Sequence, residues 1–329
     1  MEHSPTKEQL TEDLPVGGQA VLEGVMMRVP GKIVTAVRAP DQKIIVKEES
    51  HIALTQRHRW LNIPLLRGAV SFFEMMVIGL QALNFSADVA MQGEEENTAA
   101  QTEDDSWKNR LALAGTLAVS LGAGVGLFFF LPLFAAQLID VRRDAMGFNL
   151  TAGLVRTLLF LAYLWGISHW RDIQRVFQYH GAEHKSIFTL EAGAQLTVEQ
   201  ARDFGRLHPR CGTSFLLIVV LLSIFVFSLA DTGFVYVFGH PQNLLERFLT
   251  HLCFLPLISG ISFELLKFSG KKRNHPLTRF LIAPGLWLQR ITTREPDDDQ
   301  IEVALVALRR ALGEPAQTNF SLVTAGKTP

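Results

Sequence analysis

Two long apolar runs without a single charge constrain this sequence more than any other feature. Residues 111–134 (LALAGTLAVSLGAGVGLFFFLPLF) form one, and residues 213–230 (TSFLLIVVLLSIFVFSLA) the other, with the second resuming past Asp231 as far as Phe238. Each is long enough as a helix to cross a hydrocarbon core of about 30 Å. Residues 148–168 make a third candidate, interrupted only by Arg156, and 248–263 with their flanks a fourth, with His251 and Glu264 near its ends. Buried core helices in a soluble protein are the competing reading, but two uncharged runs of this length in one chain favour the bilayer. The expectation is a mainly α, polytopic membrane protein with about four transmembrane helices.

The placement of Lys and Arg sets the orientation. Between the second and third runs lie Arg171, Arg175, Lys185, Arg202, Arg206 and Arg210, and after the fourth lie Lys267, Lys271, Lys272, Arg273 and Arg279. Lys108 and Arg110 precede the first run. The connection between 111–134 and 148–168 carries only Arg142 and Arg143, balanced by Asp140 and Asp144. Both termini and the segment 169–212 are therefore expected in the cytoplasm, with the chain multi-pass in the cell (inner) membrane. The first 14 residues are polar, without the apolar core of a cleavable signal peptide. A net charge of −1 gives no reason to expect a nucleic-acid partner. Membrane lipids, and other membrane proteins, are the partners this pattern suggests. With only two cysteines, Cys211 and Cys253, no disulfide framework is expected.

Four regions follow. Residues 1–91 form a cytosolic N-terminal region. Within it, Val- and Ile-rich stretches at 19–28, 32–38 and 43–50, separated by Pro30-Gly31 and Pro40-Asp41, predict a small antiparallel β meander. Residues 60–90 predict an amphipathic helix on the membrane, with a shallow or re-entrant insertion as the rival. Residues 92–109 hold six acids between Glu94 and Asp105 and read as a solvated linker. Residues 110–292 form the transmembrane bundle with its His/Cys loop at 169–212, and 276–291 add an interfacial segment. Residues 293–329 complete the chain with a short soluble helix near 297–312 and a tail.

The chemistry concentrates in the 169–212 loop. His180-Gly181-Ala182-Glu183-His184 is an H-x-x-E-H pattern, which on a helix brings both imidazoles to one face, one turn apart. Glu183 between them suits a general base beside a metal. The run His208-Pro209-Arg210-Cys211 adds an imidazole and a thiol, both ligands for a divalent metal of the zinc class. Pro209 suits the first position of a helix, which predicts the third span to start there, with His208 as N-cap and Cys211 in a first turn that favours a thiolate. A pair of surface histidines and a small buried cysteine are the plainer alternatives. Glu264, inside the fourth run, is a further candidate as ligand, base or counter-charge to Arg210. Asp231, His251 and Arg156 read as packing or pairing residues. Near the N-terminus, Glu23 and Arg28 stand on a Gly-flanked strand.

The stretches GGQAVLEGVMMR (17–28), RGAVSFFE (67–74), YHGAEHKSI (179–187), LTVEQAR (196–202), HPRCGTSFLLIVV (208–220) and ISFELLK (261–267) resemble the YqhQ-like family of bacterial membrane proteins, a domain of unknown function labelled as metal-dependent enzymes. The similarity spans roughly residues 15–292 without departure at His180, Glu183, His184, His208 or Cys211. It implies an integral membrane protein with a metal site and supplies no substrate.

Three functions compete. The first is a metal-dependent hydrolase at the membrane surface, acting on a lipid-linked or membrane-protein substrate. In it His180, His184 and either His208 or Cys211 hold zinc, Glu183 is the base, and Glu264 supports the site. The second is a non-enzymatic factor in the insertion, assembly or quality control of membrane proteins, its His/Cys cluster structural. The third is thiol catalysis by Cys211 with His208.

Overall fold

In the computed structural model, which describes residues 16–95, 106–138, 146–271, 276–314 and 320–324, all four apolar runs are helical. Helix α1 covers Leu66–Glu95. Helix α2 (Ser106–Val125) continues through one π-helical turn, Gly126–Phe130, into α3 (Leu131–Leu138). Next come α4 (Met146–Ile167), the polar α5 (Arg171–Glu191), α6 (Gly212–Phe238), α7 (Leu244–Lys271), α8 (Pro276–Thr292) and α9 (Asp298–Ala311). Among the described residues five helical stretches are long and apolar enough to cross a membrane: Leu66–Met91, Ala118–Leu138, Gly147–Ile167, Gly212–Phe238 and Leu244–Phe268. The last four are the expected ones, and the chain is a polytopic, mainly helical membrane protein. The acidic stretch 96–105 and the charged connection 139–145 lie outside the described residues. So do Lys272 and Arg273, and the tail beyond Thr324. Helix α1 already covers Glu94 and Glu95.

The fifth stretch is the segment read as amphipathic, and its packing explains why it meets both descriptions. Its first turn lies against α7. A Cβ on Gly68 would come within 2.8 Å of the Gly260 Cα, and Arg67 donates from Nε to Glu264 Oε1 at 2.6 Å. Farther along, Ile78, Ala82 and Val89 pack on the β-sheet. Strand edges and turns carry polar backbone groups that hydrocarbon cannot solvate. This part of α1 therefore lies beside the sheet, at the end of the bundle. Phe73, Met76, Val77 and Leu80, at helical spacing, remain exposed as an outward apolar stripe.

The meander has one more strand than the sequence suggested. β1 (Gly17–Val21) and β2 (Gly24–Val29) divide the stretch expected as one strand, and β3 (Gly31–Arg38) and β4 (Ile44–His51) follow, all antiparallel. The break at Leu22-Glu23 carries no turn residue of the usual kind. Glu23 adopts φ +50° without being glycine, held by Arg175 and by the Tyr179 hydroxyl at 3.3 Å. The next turn is legible: Pro30 precedes Gly31 at φ +85°, the pairing a type II turn requires. A fifth strand, β5 (Phe320–Thr324), adds in parallel to β4.

Alternating residues send the sheet's two faces to different partners. Val25, Met27, Val34, Ala36 and Val46 pack with Tyr179, Ala182 and Ile187 of α5 and with Ile301 and Leu305 of α9. Val21, Met26, Ile33 and Val37 pack with α1. Helix α9, the expected C-terminal helix, opens with a capping box between Asp297 and Gln300 and is buried against the sheet. Segments far apart in sequence thus share one core beneath the bundle.

The glycine crossing makes a direct prediction. Gly68→Leu, wedged against α7, should lower unfolding stability in detergent by about 1–3 kcal/mol. Gly115→Leu, whose Cβ meets nothing within 4 Å, should leave it unchanged. Equal midpoints for both variants in thermal unfolding would contradict the packing described.

Candidate metal centre

Helix α5 follows the apolar α4 after the turn Ser168–Trp170 and carries Asp172 in its first turn, at the positive end of the helix dipole. Tyr179, Ala182, Ile187 and Leu190 form its apolar stripe on the sheet. On the neighbouring face, the His180 and His184 rings meet edge to face with centroids 4.4 Å apart, as the i, i+4 spacing allows. Facing them is Cys211, the N-cap of α6, whose sulfur receives the Thr213 N–H at 3.4 Å. The helix starts at Gly212, three residues later than expected. The reason is the turn before it: His208 Nδ1 accepts the Arg210 N–H at 3.2 Å and the His208 carbonyl accepts the Cys211 N–H at 3.3 Å.

Ligand atoms of His180, His184 and Cys211 all lie within 4.8 Å of one another. Two backbone carbonyls decide what the imidazoles present to this space. His180 Nδ1 lies 2.8 Å from the Thr292 oxygen and His184 Nδ1 lies 2.6 Å from the Arg206 oxygen. A carbonyl only accepts, so each neutral ring carries its proton on Nδ1 and keeps a lone pair on Nε2. His180 Nε2 is 3.1 Å from Cys211 Sγ. His184 Nε2 is buried without a hydrogen-bond partner. Two imidazole lone pairs and a sulfur, with second nitrogens anchored on carbonyls, fit a divalent metal of the zinc class, and the uncompensated Nε2 is what such an ion would satisfy.

Burial is the dominant influence on charge here. It lifts the Glu183 carboxyl, next to Cys211 and His180, to about 8, and it pushes the His184 imidazole below its ordinary value. Burial alone would raise the Cys211 thiol, but the His184 ring, in its protonated form, and the Thr213 hydroxyl and amide outweigh it and hold the thiol low. Glu183 packs against the backbone of β1, where a Cβ on Gly18 would lie 2.8 Å from its carboxyl. A cavity of about 440 Å³ opens onto the cluster, lined by Gly18, Arg28, Glu183, His184, Arg210 and Cys211 among others, and reaches Phe263 of α7.

Two sequence candidates stand elsewhere. His208 is adjacent, its ring 5.6 Å from that of His184, but Nε2 turns to Glu191 Oε1 at 3.1 Å and Nδ1 takes the Arg210 amide. Its backbone is clamped by the wholly buried Gln289, which donates to the His208 carbonyl at 2.9 Å and accepts its N–H at 2.8 Å. Glu264 pairs with Arg67, while Arg210 is neutralised by Glu191. Thr292, Arg206, Glu191 and Gln289 escaped the sequence reading. The first two act through backbone carbonyls, which no side-chain pattern reveals.

A family model described as a protein of unknown function, DUF1385, matches residues 63–314. The uncharacterized protein YqhQ of Bacillus subtilis (strain 168) is 36% identical over 310 residues, covering 90% of this chain and 92% of the relative. No solved structure matches.

The segment that follows Thr292 runs across α5 at Gly181, where a Cβ would overlap the Arg294 carbonyl oxygen. Gly181→Ala should push this segment away and loosen the Thr292 anchor on His180. The expected effect is a metal affinity about 10–100-fold weaker by competition with a chelator. Unchanged affinity would show that the anchor does not matter.

Proposed function

The chain belongs to the DUF1385 family, and we propose that it is a metal-dependent hydrolase working at the cytoplasmic face of the cell membrane. The observation that carries the reading is the tautomer lock, which aims two Nε2 lone pairs and a sulfur into one buried space beside a cavity. His180, His184 and Cys211 would hold the ion, zinc being the best match to an N₂S donor set. When bound, such an ion supplies a Lewis acid and an acidified water. Three protein ligands leave a position open, as catalytic zinc sites do. Glu183 takes or holds a proton at its carboxyl, in a setting where burial brings its pKa near neutrality. Arg28 and Arg210 line the cavity, paired with Glu74 and Glu191. The excess of Lys and Arg in 171–210 and after the fourth span supports the cytoplasmic placement. The cavity's contact with α7 supports a substrate presented at the membrane surface. In this reading His208 and Glu264 are positioning residues, of the α6 entrance and of the α1–α7 joint.

Elemental analysis of the purified full-length chain should find about one zinc per chain, lost in His184→Ala. Absent metal, or binding unchanged by His184→Ala, contradicts the metal assignment. Glu183→Gln should keep the metal and abolish cellular function. A Glu183→Gln chain that folds, binds metal and functions fully contradicts hydrolysis and leaves the structural role in membrane-protein assembly as the better account.

A further inference from the structure

The segment that follows Thr292 also borders a second, basic cavity of about 540 Å³. Trp165, Ser168 and His169 line it from the end of α4, and Arg290, Thr293 and Arg294 from the end of α8 and the residues after it. Arg206 and Glu295 complete its charges, so three guanidiniums stand against one carboxylate. That carboxylate is already held by Lys185 Nζ at 2.6 Å, with Arg206 Nε farther off at 3.9 Å. Arg206 otherwise donates to the Thr293 carbonyl and, at 3.1 Å, to its hydroxyl. Arg294 gives an N–H to the Ser168 carbonyl at 2.8 Å, which orients the guanidinium without neutralising it. Arg290 is exposed, and among the described residues no carboxylate pairs with it or with Arg294. The guanidinium fork matches the oxygens of a phosphate in two-point contact, so the surplus here suits a phosphate-bearing anion.

The surroundings of these charges point to the depth of lipid headgroups. Trp165 lies in the last turn of the apolar stretch Gly147–Ile167, and it and Trp170 are 62% and 66% exposed. An indole ring with an apolar body and one N–H donor favours the boundary between hydrocarbon and water. Helix α8 carries the same signature. Phe280 and Trp287, seven residues apart and so on one face, are both exposed, and Arg290 follows Trp287 by one turn on that face. Exposed rings that give way to a cation are the order in which an interfacial helix meets acyl chains and then headgroups. A soluble anion would explain the guanidiniums but not the rings beside them.

We propose that this cavity binds the headgroup of an anionic phospholipid from the leaflet on the metal centre's side of the bundle. The phosphate lies between Arg290 and Arg294, and Trp165 packs beside the start of the acyl chains. The site therefore selects phosphatidylglycerol, which carries a net negative charge, over phosphatidylcholine, whose ammonium cancels its phosphate. Neither Arg290 nor Arg294 holds the metal ligands through its side chain, so the proposal does not rest on the metal reading. Arg206, whose carbonyl anchors His184, is left in place in the test.

Native mass spectrometry of the detergent-solubilised full chain tests this, with both lipids carrying identical acyl chains. The first phosphatidylglycerol should bind about tenfold more tightly than the first phosphatidylcholine. Arg290→Gln with Arg294→Gln should bring the two lipids level. Arg290→Gln alone, at an exposed side chain, should already narrow the preference and leave the thermal midpoint unchanged, which separates binding from folding. Arg57→Gln with Arg59→Gln removes the same charge from exposed side chains outside the cavity and should keep the preference. Glycerol phosphate, the headgroup without acyl chains, should not displace phosphatidylglycerol at equal concentration. Equal affinity for the two lipids, a preference untouched by the Arg290 and Arg294 substitutions, an equal loss with Arg57 and Arg59, or displacement by glycerol phosphate would each overturn the proposal.

Discussion

A carbonyl oxygen can only accept a hydrogen bond, and the half-buried imidazole of His180 and the buried one of His184 each give their Nδ1 proton to one. Everything proposed for this site depends on that arrangement. With the carbonyls of Thr292 and Arg206 in place, both rings turn Nε2 lone pairs toward Cys211. With either lost, a ring could rotate or change tautomer, and the pair would become two buried histidines without a shared direction. The low polarity around them sharpens the effect, since His184 is 1% exposed and burial disfavours its protonated form.

The fold is arranged so that these carbonyls arrive. Arg206 belongs to the connection between α5 and α6, and Thr292 ends α8, beyond the last two spans. The segment after Thr292 is pinned on α5 by the Arg294 N–H to the Phe177 carbonyl, 2.8 Å. Gly181 lets it approach. Beneath, the sheet covers the other side of α5 through Tyr179 and Ala182, and α9 completes that core. The cluster therefore sits where the sheet, α5 and the entrance of α6 converge, and forming it requires the whole assembly at this end of the bundle to be built.

How much of this the sequence carried varies with the kind of interaction. The spans were legible because hydropathy over about 20 residues is a strong signal. His180, Glu183 and His184 were legible because helical spacing alone places them together. Cys211 was recognisable as a ligand type. His208 was equally plausible by type, yet its ring is turned by the Arg210 amide and Glu191, a local turn that spacing does not encode. Glu264 looked available until α1 brought Arg67 to it across almost two hundred residues. The β1–β2 break was hidden because Glu23 holds a left-handed conformation through contacts with Arg175 and Tyr179 on α5. Strand β5 pairs with β4 from the far end of the chain, a contact no local pattern announces.

The central claim is that one ion is held by two imidazoles and one thiolate. X-ray absorption at the zinc edge of the purified, metal-loaded chain reads that ligand set directly. The account predicts one sulfur at about 2.3 Å and nitrogen or oxygen scatterers, two of them imidazole, at about 2.0–2.1 Å, with the sulfur lost in Cys211→Ser. A shell without sulfur, or one whose sulfur persists in Cys211→Ser, would contradict it.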